Sequence, residues 1–166
     1  MRLRPYINSK DYTEIEKWVD DERIHALWCA NLIPYPLTEK NLNACLVKNA
    51  TDWGDSAYVA TEDDGTPIGF FVYSVNVVNN SGFLKFVVLN NELRGKGCGT
   101  EMLQLILKYA FEITGVDFVQ LNVFDINTSA KRCYEKAGFV EDNCVKDAFS
   151  YKDENWGRCH MVVVKK

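Results

Sequence analysis

The sequence lacks the features that mark several common classes of protein. Its six cysteines include no C-x-x-C pair, the spacing typical of zinc sites and redox motifs. No segment approaches the roughly 18 consecutive apolar residues of a membrane span, and the first residues lack the apolar core of a signal peptide. These absences predict a cytoplasmic protein with no membrane contact and no metal site, in which all six cysteines are thiols.

The sequence also lacks an excess of positive charge. Its 19 Lys and Arg residues are outnumbered by 23 Asp and Glu residues, which gives a formal net charge of −4. Proteins that bind nucleic acids usually carry basic clusters that neutralise phosphates, so a nucleic-acid partner is not expected. With 166 residues, of which 47% are hydrophobic, the chain can bury one continuous core. We therefore expect a single domain over residues 1–166.

The periodicity of apolar residues predicts a β-α-α-β-β-β-α-β-α-β-β order. A strand at residues 3–7 is followed by a helix from about Asp11 to about Glu22, because Asp11 and Glu14 have a capping-box-like spacing. Residues 23–37 contain two prolines and are predicted to be broken or loop-like. Thr38 is then expected to cap a second helix.

The rest of the chain alternates between extended and helical patterns. Strands are predicted at residues 57–61, 68–75, 83–89, 118–124, 139–146 and 159–164, and helices after residue 97 and at residues 128–137. In the first of these helices the apolar residues Met102, Leu103, Ile106, Leu107 and Ala110 share one face. The predicted fold class is α/β, with a mostly antiparallel meander in the first half.

A glycine-rich loop, Leu-Asn-Asn-Glu-Leu-Arg-Gly-Lys-Gly-Cys-Gly-Thr at residues 89–100, lies between a strand and an amphipathic helix. Its alternate glycines let backbone N–H groups converge on an anion at the positive end of the helix dipole. The loop therefore predicts a phosphate or pyrophosphate site. It fits neither the Walker loop nor the dinucleotide fingerprint, which would need glycine at Thr100 or Met102. The pattern Arg94-x-x-Gly97-x-Gly99 instead resembles the Q/R-x-x-G-x-G/A signature of the GNAT N-acetyltransferase superfamily.

A second block supports the same resemblance. Residues 122–139 form a predicted strand followed by Asn127-x-x-Ala130-x-x-x-Tyr134-x-x-x-Gly138-Phe139, which is similar to the second conserved block of GNAT enzymes. Asn127 and Tyr134 are seven residues apart and so project from one helix face. The resemblance extends over essentially the whole chain. It implies the GNAT fold, a mixed and mostly antiparallel central sheet flanked by helices.

The resemblance also implies an activity: transfer of an acetyl group from acetyl-CoA to a primary amine, which attacks the thioester directly in a ternary complex without a metal. The implied CoA-binding residues are Val87, Val88, Leu89, Arg94, Gly95, Lys96, Gly97, Cys98, Gly99, Thr100, Asn127 and Tyr134. Backbone amides of the glycine loop would bind the pyrophosphate, with charge from Arg94 and Lys96. The strand end at residues 87–89 would pair with pantetheine, and Asn127 would hold the pantetheine arm.

Two residues are implied in the chemistry. The N–H of Val88 would stabilise the tetrahedral oxyanion, and the Tyr134 phenol would protonate the departing CoA thiolate. Neither Cys98 nor Cys133 has an evident basic partner, so an acyl-cysteine route is not expected.

The sequence leaves the general base open. Residues 82–88 contain no Asp or Glu, and the candidates are Glu22, His25, Asp125, His160 or a water chain. The acceptor, a small-molecule or peptide amine, and the choice between monomer and homodimer also stay open. The candidate acceptor-lining aromatic residues are Trp28, Tyr35, Phe149, Tyr151 and Trp156. Two other hypotheses compete with the enzyme: a catalytically silent CoA-binding or sensing domain, and a generic phosphate-binding α/β module.

Overall fold

Seven strands form one mixed sheet in the computed structural model, which describes residues 1–166. The strands are β1 (Arg2–Pro5), β2 (Ser56–Thr61), β3 (Pro67–Asn76), β4 (Ser81–Leu89), β5 (Phe118–Phe124), β6 (Val140–Tyr151) and β7 (Glu154–Val164). Their order across the sheet is β1-β2-β3-β4-β5-β7-β6. Only β4 and β5 are parallel neighbours. The seven strands predicted along the chain are all present.

Five α-helices flank the sheet: α1 (Asn8–Trp18), α2 (Glu22–Cys29), α3 (Glu39–Trp53), α4 (Cys98–Lys108) and α5 (Thr128–Lys136). A 3-10 turn at Asn91–Leu93 precedes α4, and a π-helical segment at Tyr109–Thr114 continues it. No helix is both long and apolar enough to cross a membrane.

Each face of the sheet has its own apolar core. Helix α4 buries Met102, Leu103 and Ile106 against β5 and β7, in a core that also takes in Tyr134 of α5. The predicted inward face is confirmed, since its five residues are all buried, four in α4 and Ala110 in the π-helical segment that continues it. On the opposite face, Ile15 of α1 joins residues of α3, β2, β3 and β4 in a second core. The sheet is therefore covered by helices on both sides.

The prediction of a loop over residues 23–37 was wrong, because α2 occupies its first part. The Asp21 side chain caps this helix by accepting a hydrogen bond from the N–H of Ile24 at 3.0 Å. Ala26 and Cys29 are buried on different cores. A short helix with buried residues on two sides shows no clear 3.6-residue period, so its apolar pattern could not identify it.

The start of α1 also differs from the prediction. The helix begins at Asn8, and Asp11 is a fully buried residue within its first turn. The Asp11 carboxylate accepts two hydrogen bonds from the Arg4 guanidinium, at 2.8 and 2.7 Å, and one from the N–H of Ile7. It therefore joins β1 to α1 as a buried ion pair. The predicted Thr38 cap is confirmed.

The expectation that all six cysteines are thiols was wrong for one pair. Cys144 and Cys159 lie opposite each other in the register of β6 and β7 and form a disulfide. The other four cysteines are free. The pair is separated by 15 residues in the sequence, which matches no cysteine motif, and only strand pairing brings the two side chains together.

Candidate active site

The main cavity opens where β4 and β5 separate. The two strands pair from Ser81 opposite Phe118 to Leu84 opposite Leu121, and no further. Beyond that point the end of β4 borders a cavity of about 480 Å³. Side chains from α2, α4 and α5 complete its walls. The gap leaves one edge of β4 without a strand partner, as the GNAT resemblance implied.

Most of the predicted CoA-binding residues line this cavity. They are Val87, Val88, Leu89, Arg94, Gly95, Gly97, Gly99, Thr100, Asn127 and Tyr134. Lys96 and Cys98 are not among the lining residues. Two segments that are distant in the sequence, the glycine loop and α5, are thus brought to one site.

A β-bulge shapes the wall formed by β4. Its register with β3 shifts between the pair Val72 and Lys85 and the pair Phe70 and Val88. Phe86, in the bulge, has a φ of 50°, which is unfavourable for a bulky side chain. Its carbonyl accepts a hydrogen bond from the Trp28 indole N–H at 2.8 Å. Trp28 of α2 therefore stabilises the bulge from outside the sheet.

The bulge also determines which backbone groups face the cavity. The N–H of Asn90 donates to the carbonyl of Ile68 at 2.8 Å, and hydrogen-bonded positions alternate along an antiparallel pair. Given the register, the N–H and C=O of Val88 face β3 and those of Leu89 face the gap, whereas Val87 lies in the bulge, where this alternation is interrupted. The register therefore disfavours Val88 as the oxyanion donor, because its N–H is directed at the sheet.

The glycine loop has the backbone conformation expected of an anion site. Gly95 and Gly97 have φ values of 76° and 87°, and Gly97 is the N-cap of α4. A Cβ on Gly99 would lie 3.0 Å from the Cys133 sulfur of α5, so glycine permits the close approach of α4 to α5. The N-terminus of α4 therefore borders the cavity with its N–H groups available for an anion.

Three cations add positive charge to this end of the cavity. Arg94 follows the 3-10 turn, and Arg132 and Lys136 lie one turn apart on α5. Partial burial lowers the pKa of Arg94. Arg132 and Lys136 were not predicted from the sequence, although a spacing of four residues indicates that two side chains lie on one helix face. Together these charges suit a ligand that carries several phosphates.

Tyr134 and Asn127 are held at the cavity by local packing. The Tyr134 ring is 9% exposed and packs edge to face on Phe139, with 5.8 Å between centroids. Burial raises the pKa of the Tyr134 phenol, so it stays protonated at neutral pH. Asn127 caps α5 by accepting from the N–H of Ala130 at 3.3 Å. That bond uses the side-chain oxygen and leaves the amide nitrogen of Asn127 available.

None of the four candidate base residues lines the cavity, whose walls contain no Asp, Glu or His. His25 is fully buried and donates from Nε2 to the carbonyl of Ile33 at 2.8 Å. His160 contacts Asp142 and Gln120. Asp125 accepts from the N–H of Gly157, and Glu22 pairs with Lys152. Each of the four side chains is therefore engaged elsewhere in the fold.

A buried ion pair lies beside the gap and was missed by the sequence analysis. Lys85, which lines the cavity, bonds both carboxylate oxygens of Asp55, at 2.9 and 2.7 Å. The Asp55 side chain is 2% exposed. Asp55 lies 30 positions before Lys85, so nothing in the sequence pattern linked them. The pair compensates the positive charge that Lys85 would otherwise bring to the cavity.

The acceptor side of the cavity is formed by α2, through Ile24, Leu27 and Trp28. Of the five aromatic residues predicted to line it, only Trp28 does so. Tyr35 packs on His25, with ring centroids 5.3 Å apart. The other three belong to a separate cluster with Ala26 and Phe124; they are Phe149, Tyr151 and Trp156.

That cluster fixes the position of α2. Arg23 at the start of the helix forms two hydrogen bonds with Glu154, and its guanidinium lies 5.2 Å from the Trp156 ring centre. The β6–β7 hairpin therefore orients α2, and α2 in turn places Trp28 on the bulge. Acceptor-side geometry thus depends on contacts between distant parts of the chain.

Comparisons with known proteins agree with this geometry. The profile described as "Acetyltransferase (GNAT) family" matches residues 22–139. The crystal structure of spermidine N-acetyltransferase from Vibrio cholerae in complex with CoA and spermine is similar, with a TM-score of 0.83 and 22% identity over 98% of this chain and 94% of that chain.

Two curated proteins are also similar. An uncharacterized N-acetyltransferase of Methanocaldococcus jannaschii is 33% identical over 82 residues, which are 49% of this chain and 51% of that protein. The prophage-derived N-acetyltransferase YokL of Bacillus subtilis is 23% identical over 124 residues, 75% of this chain and 68% of that protein. The match thus spans about half the length of the archaeal relative.

The family match and the structural similarity confirm the predicted GNAT fold. They lend no support to a generic phosphate-binding module. Because the family profile covers more than half of the sequence, the chain belongs to the acetyltransferase (GNAT) family.

Proposed function

We propose that the protein transfers the acetyl group of acetyl-CoA to a primary amine of a small molecule, by direct attack in a ternary complex. The observation that carries the proposal is one continuous cavity that has the glycine loop at one end, α2 at the other and the gap between β4 and β5 at its centre. Such a cavity holds two substrates at once and lets them meet at the gap.

The cofactor occupies the half bordered by α4 and α5. Its pyrophosphate accepts hydrogen bonds from the amides of residues 95–100, with Arg94 beside it, and Arg132 and Lys136 attract the remaining phosphate charge. The pantetheine arm extends along the open edge of β4 and pairs with the backbone of Leu89, which faces the gap, and with Val87 in the bulge. Lys96 and Cys98 contribute only backbone amides in this arrangement.

The chemistry proceeds at the gap. The neutral amine attacks the thioester carbonyl, and the N–H of Val87 stabilises the oxyanion of the tetrahedral intermediate. When the C–S bond breaks, Tyr134 gives its proton to the CoA sulfur. The amine nitrogen loses its own proton to water, because no carboxylate or imidazole lines the cavity. Tyr134 is then reprotonated from solvent.

The acceptor is a small cationic amine in this proposal. The run Asp20, Asp21 and Glu22 immediately before and at the start of α2 is exposed, and it attracts cations toward the acceptor end of the cavity. The Vibrio cholerae protein of the same fold was crystallised with spermine, which makes spermidine and spermine the first acceptors to test.

The test is an amine panel with acetyl-CoA, in which release of free CoA thiol is measured. The panel contains polyamines, amino acids, aminoglycosides and a peptide with a free N-terminus. We expect thiol release with a small polycationic amine and a matching mass increase of 42 Da for the acetylated product, an approximate value set by the acetyl group that replaces one hydrogen. Release only with the peptide would contradict the acceptor class.

The same assay tests the alternative of a silent CoA-binding domain, which the absence of a carboxylate from the cavity favours. A silent domain would be stabilised against heat by acetyl-CoA, by mass action, and would release no thiol with any amine. That result would refute the proposed transfer while keeping the cofactor site.

A further inference from the structure

We propose that Cys144 and Cys159 form a thiol–disulfide exchange site for low-molecular-weight thiols such as glutathione, separate from the acetyl-transfer cavity. Neither residue lines that cavity. The two cysteines face each other across β6 and β7, and their sulfur atoms are joined. The acetyl transfer proposed above assigns no role to this pair.

The two sulfur atoms differ in access. Cys144 is exposed on β6, which is the edge strand of the sheet, whereas Cys159 is 1% exposed within the core under α5. An incoming thiolate therefore reaches the sulfur of Cys144 and not that of Cys159. This asymmetry determines which sulfur is attacked and which one leaves.

A cation lies beside the leaving sulfur. The Lys131 ammonium of α5 is 3.8 Å from the Cys159 sulfur and 2.6 Å from a carboxylate oxygen of Glu141. A thiolate that forms at Cys159 is stabilised by this positive charge, and a leaving group that is stabilised as an anion departs faster. Glu141 offsets part of the effect because it also holds the ammonium.

The exchange takes place in two steps, each of which breaks one disulfide bond and forms another. A glutathione thiolate attacks the sulfur of Cys144, a mixed disulfide forms there, and the bond to Cys159 breaks to leave a thiolate next to Lys131. A second glutathione thiolate then attacks the mixed disulfide, which yields oxidised glutathione and the Cys144 thiolate. The reverse sequence, with oxidised glutathione as the oxidant, restores the pair.

The cluster of Glu141, Cys144 and Cys159 contains side chains that can bind metals. Glu141, Cys144 and Cys159 have ligand atoms within 4.8 Å of one another, but the Lys131 ammonium already contacts two of these three residues. A fixed cation at that position opposes a metal cation. Thiol chemistry is the reaction that this charge arrangement favours.

The experiment treats the folded, oxidised full chain with reduced glutathione, quenches with an alkylating reagent and maps the cysteines by mass spectrometry. We expect the linked peptides of residues 144 and 159 before treatment, then a glutathione adduct on Cys144 with Cys159 free. Lys131→Met should slow adduct formation about fivefold, because a screened charge contact of this length stabilises the leaving thiolate by about 1 kcal/mol, which corresponds to about a fivefold change in rate. Lys131→Arg should restore the rate.

Two further variants make the result specific. Glu141→Gln should speed the exchange, since it frees Lys131 for the thiolate. Lys48→Met removes another ion-paired helix lysine and should leave the rate unchanged. A disulfide that resists glutathione in the folded chain, an adduct on Cys159, or an unchanged rate in Lys131→Met would each overturn the proposal. Cys144→Ser, an exposed change that the fold tolerates, should abolish the adduct.

Discussion

The cofactor side and the acceptor side of the cavity are built in different ways. The cofactor side uses two continuous segments, residues 89–100 and 127–136, whose backbone and side chains line the cavity directly. The acceptor side depends on α2, which is oriented by Arg23, Glu154 and Trp156. A site made of local segments leaves a motif in the sequence, whereas a site made of long-range contacts does not.

The difference extends to chemistry. The cofactor side carries three cations and the N-terminus of a helix, all suited to phosphates. The acceptor side presents mostly apolar side chains, Ile24, Leu27 and Trp28, with no acid or base among them. In the proposed reaction, the local features of the cofactor side therefore bind CoA, and the acceptor chemistry depends on the position of the amine and on its own pKa.

Tyr134→Phe should have the largest effect, because it removes the proposed proton donor but keeps the ring packed on Phe139. General acid catalysis contributes about 10² to 10⁴ in rate, so kcat should fall within that range while acetyl-CoA affinity changes little. Single-turnover kinetics with the chosen amine would measure it. A kcat near wild type, with chemistry limiting, would leave solvent as the donor.

Gly97→Glu should eliminate the thermal stabilisation by acetyl-CoA, which mass action sets at about 2.7 kcal/mol at 100 times the Kd. The new carboxylate repels the phosphates at the N-terminus of α4. Because Gly97 has a positive φ, the control is Gly65→Glu, at a glycine with a φ of 93° in the β2–β3 turn. The control should lose stability but keep the shift in Tm that acetyl-CoA produces. An equal loss of this shift in Gly97→Glu and Gly65→Glu would contradict the assignment of the phosphate site to the glycine loop.

The pH dependence of the rate should be set by the pKa of the acceptor amine and not by a group of the protein. Without a base in the cavity, the rate should rise about tenfold per pH unit below the pKa of the amine and level off above it. Burial raises the pKa of Tyr134, so its protonated form persists to higher pH and is lost only as pH rises through that raised value. A profile of kcat/KM with a break near neutral pH that stays fixed across amines would reveal a protein base.

Trp28→Phe should weaken binding of the amine but not binding of acetyl-CoA. It keeps an aromatic ring over the bulge but removes the indole hydrogen bond to the Phe86 carbonyl, a contact worth about 0.5 to 1.5 kcal/mol. We expect a rise in the KM of the amine of about two- to tenfold by that energy, with acetyl-CoA binding retained. Isothermal titration would measure the Kd of acetyl-CoA, and steady-state kinetics would measure the KM of the amine. Equal increases in the two constants would show that the two sides of the cavity are not independent.

The smallest effect is expected for Cys98→Ala and Cys133→Ala. Direct transfer involves neither thiol, so both variants should keep most of the wild-type rate, and the wild type should show no burst of acyl-enzyme. Mass spectrometry of the enzyme mixed with acetyl-CoA alone would check this. A stable acetyl-cysteine on a competent enzyme would show that direct transfer is wrong.

Sequence patterns predicted the fold where local signals were sufficient. The seven strands, the inward face of α4 and the Thr38 cap are confirmed by the structure. Helix α2 was missed because its stability comes from packing and not from a regular apolar stripe. The bounds of α1 were wrong because Asp11, read as a cap, is the buried partner of Arg4.

The sequence by itself determined the glycine loop and the placement of Asn127 and Tyr134 on one face of α5, since both depend on local backbone geometry and helix spacing. Tertiary structure alone decided the register of β4 on β3, in which a bulge at residues 86 and 87 turns the Val88 N–H toward the sheet. It also brought Lys85 to Asp55 and Cys144 to Cys159. These pairings depend on strand register and on packing between distant segments, which no local pattern encodes.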